Sequence, residues 1–355
     1  MAAAKSSWTS VAFSEAMKVK KLAPRTYKIN LNDNFNIGAV PNGGYTASCM
    51  LAAASDHMAS QGQPDVFTAH FEYLNRTSNG PAIVIIEDVK LTGQISILQL
   101  TLWQGGLKPS APWITPSVSQ RTVLAYARFT DLSSSKGISM PTGYETTAPD
   151  ALPPLPDFER LKAEGSDPYW TESRLPGSND SLRSLRNWHL YVPRGDPLIP
   201  GVLNAWLRSA SGENIKQGAL TYVADTFPVE TNTFIAAPEV RTFLLQQQAE
   251  ARDQALSDKR AGKKKEGGES GVLHSVLWFP TVVLNLEVKK ALPEEGAEWL
   301  ALSVMSKQMR DGRFDIEIVV RDVEGEIIAL SHQVALIVSI ETNRGKKRRP
   351  NKAAL

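Results

Sequence analysis

Four positions have the residue types to do chemistry. Asp225 closes an apolar stretch (Ala219, Leu220, Tyr222, Val223) that reads as a buried helix. Partial desolvation there raises a carboxyl pKa and makes the group a better base. Gln333 lies in a strand otherwise full of apolar residues (Ile327, Ile328, Leu330, Val334, Leu336), and a buried amide must find partners. Thr281 stands at the start of another strand and could give a third hydrogen bond. Gly43-Gly44 precedes a helix, where bare backbone N–H groups point out at the positive end of the dipole, with Gly44 or Tyr45 as the expected donor.

Each position also has a plainer explanation. A helix-end aspartate commonly makes a local hydrogen bond. A lone strand glutamine commonly faces outward. Threonine suits any strand, and a glycine pair suits a turn that needs positive φ. His70 and His332 sit in strands beside apolar neighbours and read as satisfied core or surface histidines. Cys49 falls inside the first helix and reads as a small core residue. No Gly-x-Ser-x-Gly elbow occurs, which argues against a serine hydrolase.

These residues must be held by a sizeable fold. The chain has 355 residues, enough for two domains or one duplicated unit. It is 42% hydrophobic and 21% charged, so a substantial core can form. The apolar runs, such as 335–340, fall far short of a membrane span. The polar N-terminus gives no secretory signal, and the single cysteine favours a reducing compartment, so an intracellular, cytoplasmic location is expected. Nothing resembles a Cys/His zinc cluster. The net charge is +2, but six basic residues lie in the tail 344–352; removing them leaves −4 for the body. A mildly acidic body offers no broad nucleic-acid face. The tail reads as a solvated, disordered terminus rather than a nucleic-acid patch or localisation signal.

Alternating apolar patterns predict strands over 26–31, 67–74, 82–92, 95–103 and 122–129 in the first half, with Phe67, Ala69, Phe71 and Tyr73 on one face. In the second half they predict strands over 202–208, 281–288, 298–309, 313–321 and 327–340. Gly93-Gln94, Asp311-Gly312 and Glu324-Gly325 read as hairpin turns. Residues 45–58 and 218–226 read as one helix per half, and 237–258 as a helical insertion followed by a flexible loop at 262–271. Ten of the 22 prolines fall within 141–200, which reads as a linker docked on an apolar surface through Tyr169, Trp170, Trp188 and Tyr191. Each half is thus a helix followed by antiparallel strands. One helix covers one face of a sheet, so pairing the halves edge to edge would give a long sheet around two central helices. The strands TAHFEYL (68–74) and TVVLNLEV (281–288) even look alike.

This order resembles the tandem (double) hotdog of the acyl-CoA thioesterase II (TesB-like) family and the wider thioesterase-like superfamily, an α+β fold. Three local matches carry it: Gly43-Gly44 opening a helix, Tyr222-Val223-Ala224-Asp225 followed by Phe227-Pro228, and the strands holding Thr281 and Gln333. The resemblance implies an N-terminal hotdog over 1–135, a proline-rich linker over 136–200, a C-terminal hotdog over 201–342 with an insertion at 237–271, and a basic tail over 343–355. It implies that Asp225, Thr281 and Gln333 form a water-activating triad, and that Gly43, Gly44 and Tyr45 hold the oxyanion of an acyl thioester.

The expected reaction is hydrolysis of an acyl-CoA or a carrier-bound acyl or polyketide chain by water, with no metal or organic cofactor. Two alternatives keep the fold: a non-hydrolytic tailoring enzyme (cyclase or dehydratase-like) acting on polyketide-type metabolites, and a non-catalytic acyl-binding module. Hotdog dehydratases pair an Asp with a nearby His, and neither Asp225 nor Asp33 has one. A homo-oligomer is compatible with the resemblance.

Overall fold

The structure is a computed structural model that describes residues 10–134, 154–173, 180–194, 201–226 and 277–339, with 137–140, 142, 144 and 199 between them. The insertion, the flexible loop, the Phe227-Pro228 pair and the basic tail lie outside the described residues.

One large sheet of fourteen strands dominates the described residues. In chain order these are β1 (Lys20–Ala23), β2 (Thr26–Leu31), β3 (Asp65–Tyr73), β4 (Gly80–Lys90), β5 (Ser96–Gln104), β6 (Gln120–Thr130), β7 (Trp170–Glu172), β8 (Trp188–Pro193), β9 (Val202–Ser209), β10 (Thr281–Val288), β11 (Leu300–Met305), β12 (Met309–Arg310), β13 (Arg313–Arg321) and β14 (Ile327–Leu336). Their spatial order is β1-β2-β4-β5-β6-β3-β10-β14-β13-β11-β9-β8-β7, with β12 paired to β13. The two halves meet where β3 pairs antiparallel with β10, Leu284 opposite Phe71 and Leu286 opposite Ala69. The two strands that look alike in sequence are therefore the ones that join the halves and remove an exposed edge from each.

The sheet curls around a central helix, Gly43–Ala59. Asn42 caps it by accepting a hydrogen bond from the Tyr45 N–H at 2.8 Å, and an alanine-rich body continues it. Small and apolar residues surround its axis, so it is buried on nearly every side. The second central helix is short: a 3-10 turn over Gln217–Ala219 leads into one α-helical turn over Leu220–Ala224. The helices touch closely, with Ser48 Oγ 2.5 Å from Thr221 Oγ1. An aromatic cluster fills the space beside them: Phe13 stacks on Tyr222 and Phe35 on Tyr45. Cys49 is fully buried in this core, and burial pushes its thiol up to about 12.

Local differences from the sequence pattern have physical causes. The pairing of β3 with β6 shifts register between Val66 and Thr68, so Val66 turns inward in place of Phe67 while Ala69 and Phe71 stay buried. The run 327–340 breaks after Leu336, and Val338–Ser339 pairs instead with Leu277–Trp278. The run 298–309 likewise splits into β11 and β12.

The proline-rich stretch does more than wrap. Its strands β7 and β8 hydrogen-bond onto the sheet beside β9. A helix at Phe158–Glu164 packs above them, and Trp170, Tyr191, Trp206 and Trp299 form a second apolar cluster beneath it. Trp170, Trp188 and Tyr191 are buried as the docking reading expects, whereas Tyr169 is half exposed at 52%. Among the described residues no helix is long and apolar enough to cross a membrane.

Candidate active site

Asp225 terminates the second central helix, and its backbone N–H bonds back to Thr221 O at 3.1 Å. Its carboxylate reaches across to the other half. Oδ2 accepts the Gly44 N–H at 2.7 Å, and Oδ1 accepts the Thr281 hydroxyl at 3.4 Å. The Asn42 side chain, besides capping the first helix, donates to the Asp225 backbone carbonyl at 3.2 Å. The start of one central helix and the end of the other are thus bound together at one point.

The glycines are there because of contact, not backbone conformation. Neither has positive φ. A Cβ on Gly44 would stand 2.3 Å from the Thr221 carbonyl oxygen and 2.5 Å from Asp225 Cβ, so only hydrogen fits. A Cβ on Gly43 would meet Asp225 Oδ2, Tyr73 Cζ and Tyr73 Oη, each at 3.2 Å.

Burial pushes the Asp225 carboxyl up to about 6, while the Gly44 N–H and the Thr281 hydroxyl favour the anion and hold it back. The group is poised between acid and base near neutral pH.

Gln333 is fully buried on the inner face of β14. Its Nε2 donates to the Ala224 carbonyl at 3.0 Å, which fixes the orientation of the amide. Its Oε1 has no hydrogen-bond partner among the described residues. Gln333 therefore meets the helix end through Ala224, the residue before Asp225, and keeps one buried acceptor unused.

Thus Asp225, Thr281, Gln333 and the Gly43–Gly44 helix start gather around one helix end. Tyr45 stands apart. Its amide is taken by the Asn42 cap, its ring lies in the aromatic cluster, and its hydroxyl accepts the Asn32 N–H and donates to Ala16 O, both at 3.0 Å. The two strand histidines lie elsewhere: His70 Nδ1 is 2.7 Å from Asn285 Oδ1 on the outer side of the β3–β10 seam, and His332 is exposed.

Sequence reasoning passed over Asn42 and Tyr73. Asn42 carried a cap signal, an Asn just before a helix. Tyr73 carried only the alternation of a strand. Its hydroxyl donates to the Gly43 carbonyl at 2.7 Å, and burial beside Asp225 pushes its phenol well above the ordinary range.

The far end of the helix pair is chemically different. Counted from Gly44, Leu51 holds the place in the first helix that Asp225, counted from Gly218, holds in the second. A small cavity of about 60 Å³ lies there, lined by Leu51, Val66, Thr221, Leu286 and their neighbours. At the helix position equivalent to Asp225 the far end has a leucine, and the polar residues Ser55 and Asp65 line the cavity from other positions.

A family model described as acyl-CoA thioesterase N-terminal domain matches residues 31–129, and one described as acyl-CoA thioesterase C-terminal domain matches residues 149–337. The thioesterase-like protein TwmA of Talaromyces wortmannii is 55% identical over 356 residues, covering 100% of both chains. Among solved structures, a protein with a hot dog fold from Alicyclobacillus acidocaldarius aligns with TM-score 0.61 at 18% identity, over 93% of this chain and 99% of its own. The acyl-CoA thioesterase II TesB2 of Mycobacterium marinum aligns with TM-score 0.57 at 16% identity, over 92% and 98%. Two fused halves, one seam and a helix pair of this kind make up the double hotdog, and the chain belongs to the acyl-CoA thioesterase family of thioesterase-like proteins.

Proposed function

We propose that this protein hydrolyses an acyl thioester, an acyl-CoA or a carrier-bound acyl chain, with Asp225 as general base. The supporting observation is the unused Oε1 of Gln333, buried beside the helix end that carries Asp225. A buried acceptor with no partner among the described residues, on a side chain bonded to the residue before a basic carboxylate, suits a water molecule, because water can donate one hydrogen to each. The Thr281 hydroxyl, already turned to Asp225 Oδ1, is a third group for the same water.

In this reading Asp225 takes a proton as the water oxygen attacks the thioester carbon. Negative charge leaves the carboxylate and builds on the carbonyl oxygen. Protonated Asp225 holds the Gly44 N–H less strongly, so that amide becomes free to stabilise the oxyanion as it forms. The C–S bond then breaks, the proton passes to the departing sulfur, and a carboxylic acid and a thiol result.

The test is a panel of acyl-CoAs of graded chain length, with free thiol measured, for the wild type and for Asp225→Asn. Cleavage by the wild type that falls at least 100-fold in the variant supports the reading. Equal activity in the two, or no thiol release from any thioester, removes it.

A further inference from the structure

The Gly44 N–H that holds Asp225 and the Gly43 carbonyl that accepts from Tyr73 are two ends of one peptide unit. Tyr73 sits at the end of β3, the strand that joins the halves, and meets the carbonyl of this peptide while the carboxylate meets its N–H. Gly43 has no side chain between them, and both Tyr73 Oη and Asp225 Oδ2 lie 3.2 Å from where one would begin.

We propose that Tyr73 is a positioning residue of this site: its hydroxyl fixes the plane of the 43–44 peptide and strengthens the Gly44 N–H as a donor. The physical reason is polarisation along a hydrogen-bonded chain. An amide whose carbonyl accepts a hydrogen bond carries more positive charge on its N–H, so the next bond in the chain tightens. Tyr73 O–H, the Gly43–Gly44 amide and the Asp225 carboxylate form such a chain, with the anion at its end. The same chain serves the oxyanion once Asp225 is protonated, so the inference rests on the hydrolytic reading for its catalytic consequence. The arrangement itself does not depend on that reading.

The chain acts on a carboxylate with few competitors. The titratable groups that bear on Asp225 among the described residues are Tyr73, from β3, and Tyr222, from its own helix. Both phenols are pushed upward and stay neutral through the range in which Asp225 titrates. A change in the Gly44 donor therefore reads directly in the Asp225 titration.

The experiment is Tyr73→Phe in the full-length protein, which keeps the ring and removes the hydroxyl. Glycine labelled with ¹³C at the carbonyl and ¹⁵N at the amide gives correlated signals only at Gly-Gly peptides, and this chain has three, at 43–44, 105–106 and 267–268. In the variant the 43–44 signal is expected to move upfield in both the Gly43 carbonyl carbon and the Gly44 proton, with the other two unchanged. The Asp225 carboxyl, followed by ¹³C-aspartate labelling and assigned by its loss in Asp225→Asn, is expected to titrate at higher pH than in wild type. With thioester substrate, the acid limb of kcat/KM moves the same way, kcat falls about tenfold and KM changes less than twofold.

An unmoved 43–44 signal, or coincident Asp225 titrations, overturns the proposal. If the wild type cleaves no thioester, the hydrolytic reading fails, while the two NMR measurements still decide the role of Tyr73. If activity depends on Asp225 but the Tyr73→Phe titration matches wild type, the hydrolytic reading stands and Tyr73 is only packing.

Discussion

The Gly44 N–H donates to Asp225 Oδ2 at 2.7 Å across 181 positions of sequence, and with the bond from the Asn42 side chain to the Asp225 carbonyl it ties the start of the first central helix to the end of the second. It exists because nothing larger than hydrogen fits at Gly44. The two helix ends can then approach until an amide of one half meets a carboxylate of the other.

Replacing Gly44 with alanine should therefore be severe. The added carbon would fall 2.3 Å from backbone, which cannot rotate away. Gly44→Ala should lose roughly 4 kcal/mol or more of stability, seen as insoluble expression or a collapsed thermal melt. Gly43→Ala meets only side-chain atoms, at 3.2 Å. It should fold, melt within a few degrees of wild type and lose about tenfold in kcat through displacement of Asp225.

Activity should follow the ionisation of Asp225. With its carboxyl pushed up to about 6, kcat/KM should rise with pH, reach half its maximum near pH 6 and stay level above pH 7 until another group intervenes. A profile flat from pH 5 to 8 would contradict a buried carboxylate base.

The same displacement makes Asp225 a cost to the fold at neutral pH. Its folded value lies above its ordinary value of 3.8, so the folded state binds the proton more tightly than the unfolded chain. Its stabilising contribution is complete below that ordinary value and is lost as pH rises through about 6, a change of about 3 kcal/mol at most. Asp225→Asn should accordingly melt higher than wild type at pH 8, and the gap should narrow toward pH 4. Denaturant unfolding of both proteins across that range measures it.

Gln333→Met keeps approximate volume and removes both polar atoms. The Ala224 carbonyl loses its partner, which should cost about 1–3 kcal/mol. If Oε1 holds the attacking water, kcat should fall about 10- to 100-fold with little change in KM. Steady-state kinetics separates the two effects, since a purely structural glutamine would lower stability and leave kcat of the folded fraction intact.

Trp170→Ala tests the second apolar cluster. Trp170 is fully buried and its Nε1 donates to Pro154 O at 2.7 Å. Truncation should cost about 3–5 kcal/mol by calorimetry or chemical unfolding. The cluster lies under the outer edge strands, away from Asp225, so kcat of the folded variant should be unchanged.

Much of this was readable in one dimension because its causes are local. Alternation marked β2, β3, β5 and β10, since a half-buried strand must alternate, and the alanine-rich run after Asn42 marked the first helix. Asp225 was visible as a carboxylate closing an apolar helix, but only the resemblance to the family's helix put a catalytic role ahead of a local hydrogen bond. Other features had no local cause. The glycine pair suggested either a helix start with bare N–H donors or a positive-φ turn, and could not show the contact with Thr221 and Asp225 in the other half that leaves no room for a side chain. Tyr73 had the pattern of any inward strand residue, and its role depends on which peptide its hydroxyl meets. The strands within the proline-rich stretch were hidden because proline density marks irregular chain, whereas Trp188–Pro193 pairs on both sides, with Trp170–Glu172 at the edge and with Val202–Ser209.

What the sequence determined by itself was the set of elements and their faces, because hydrophobic periodicity and helix capping act over a few residues. What only the tertiary structure decided was which elements meet: that β3 pairs with β10, that Gly44 reaches Asp225, and that the other end of the helix pair has Leu51 where this end has a carboxylate. Those depend on how two half-sheets close around two helices, and packing distances between remote segments are not written in any short stretch of chain.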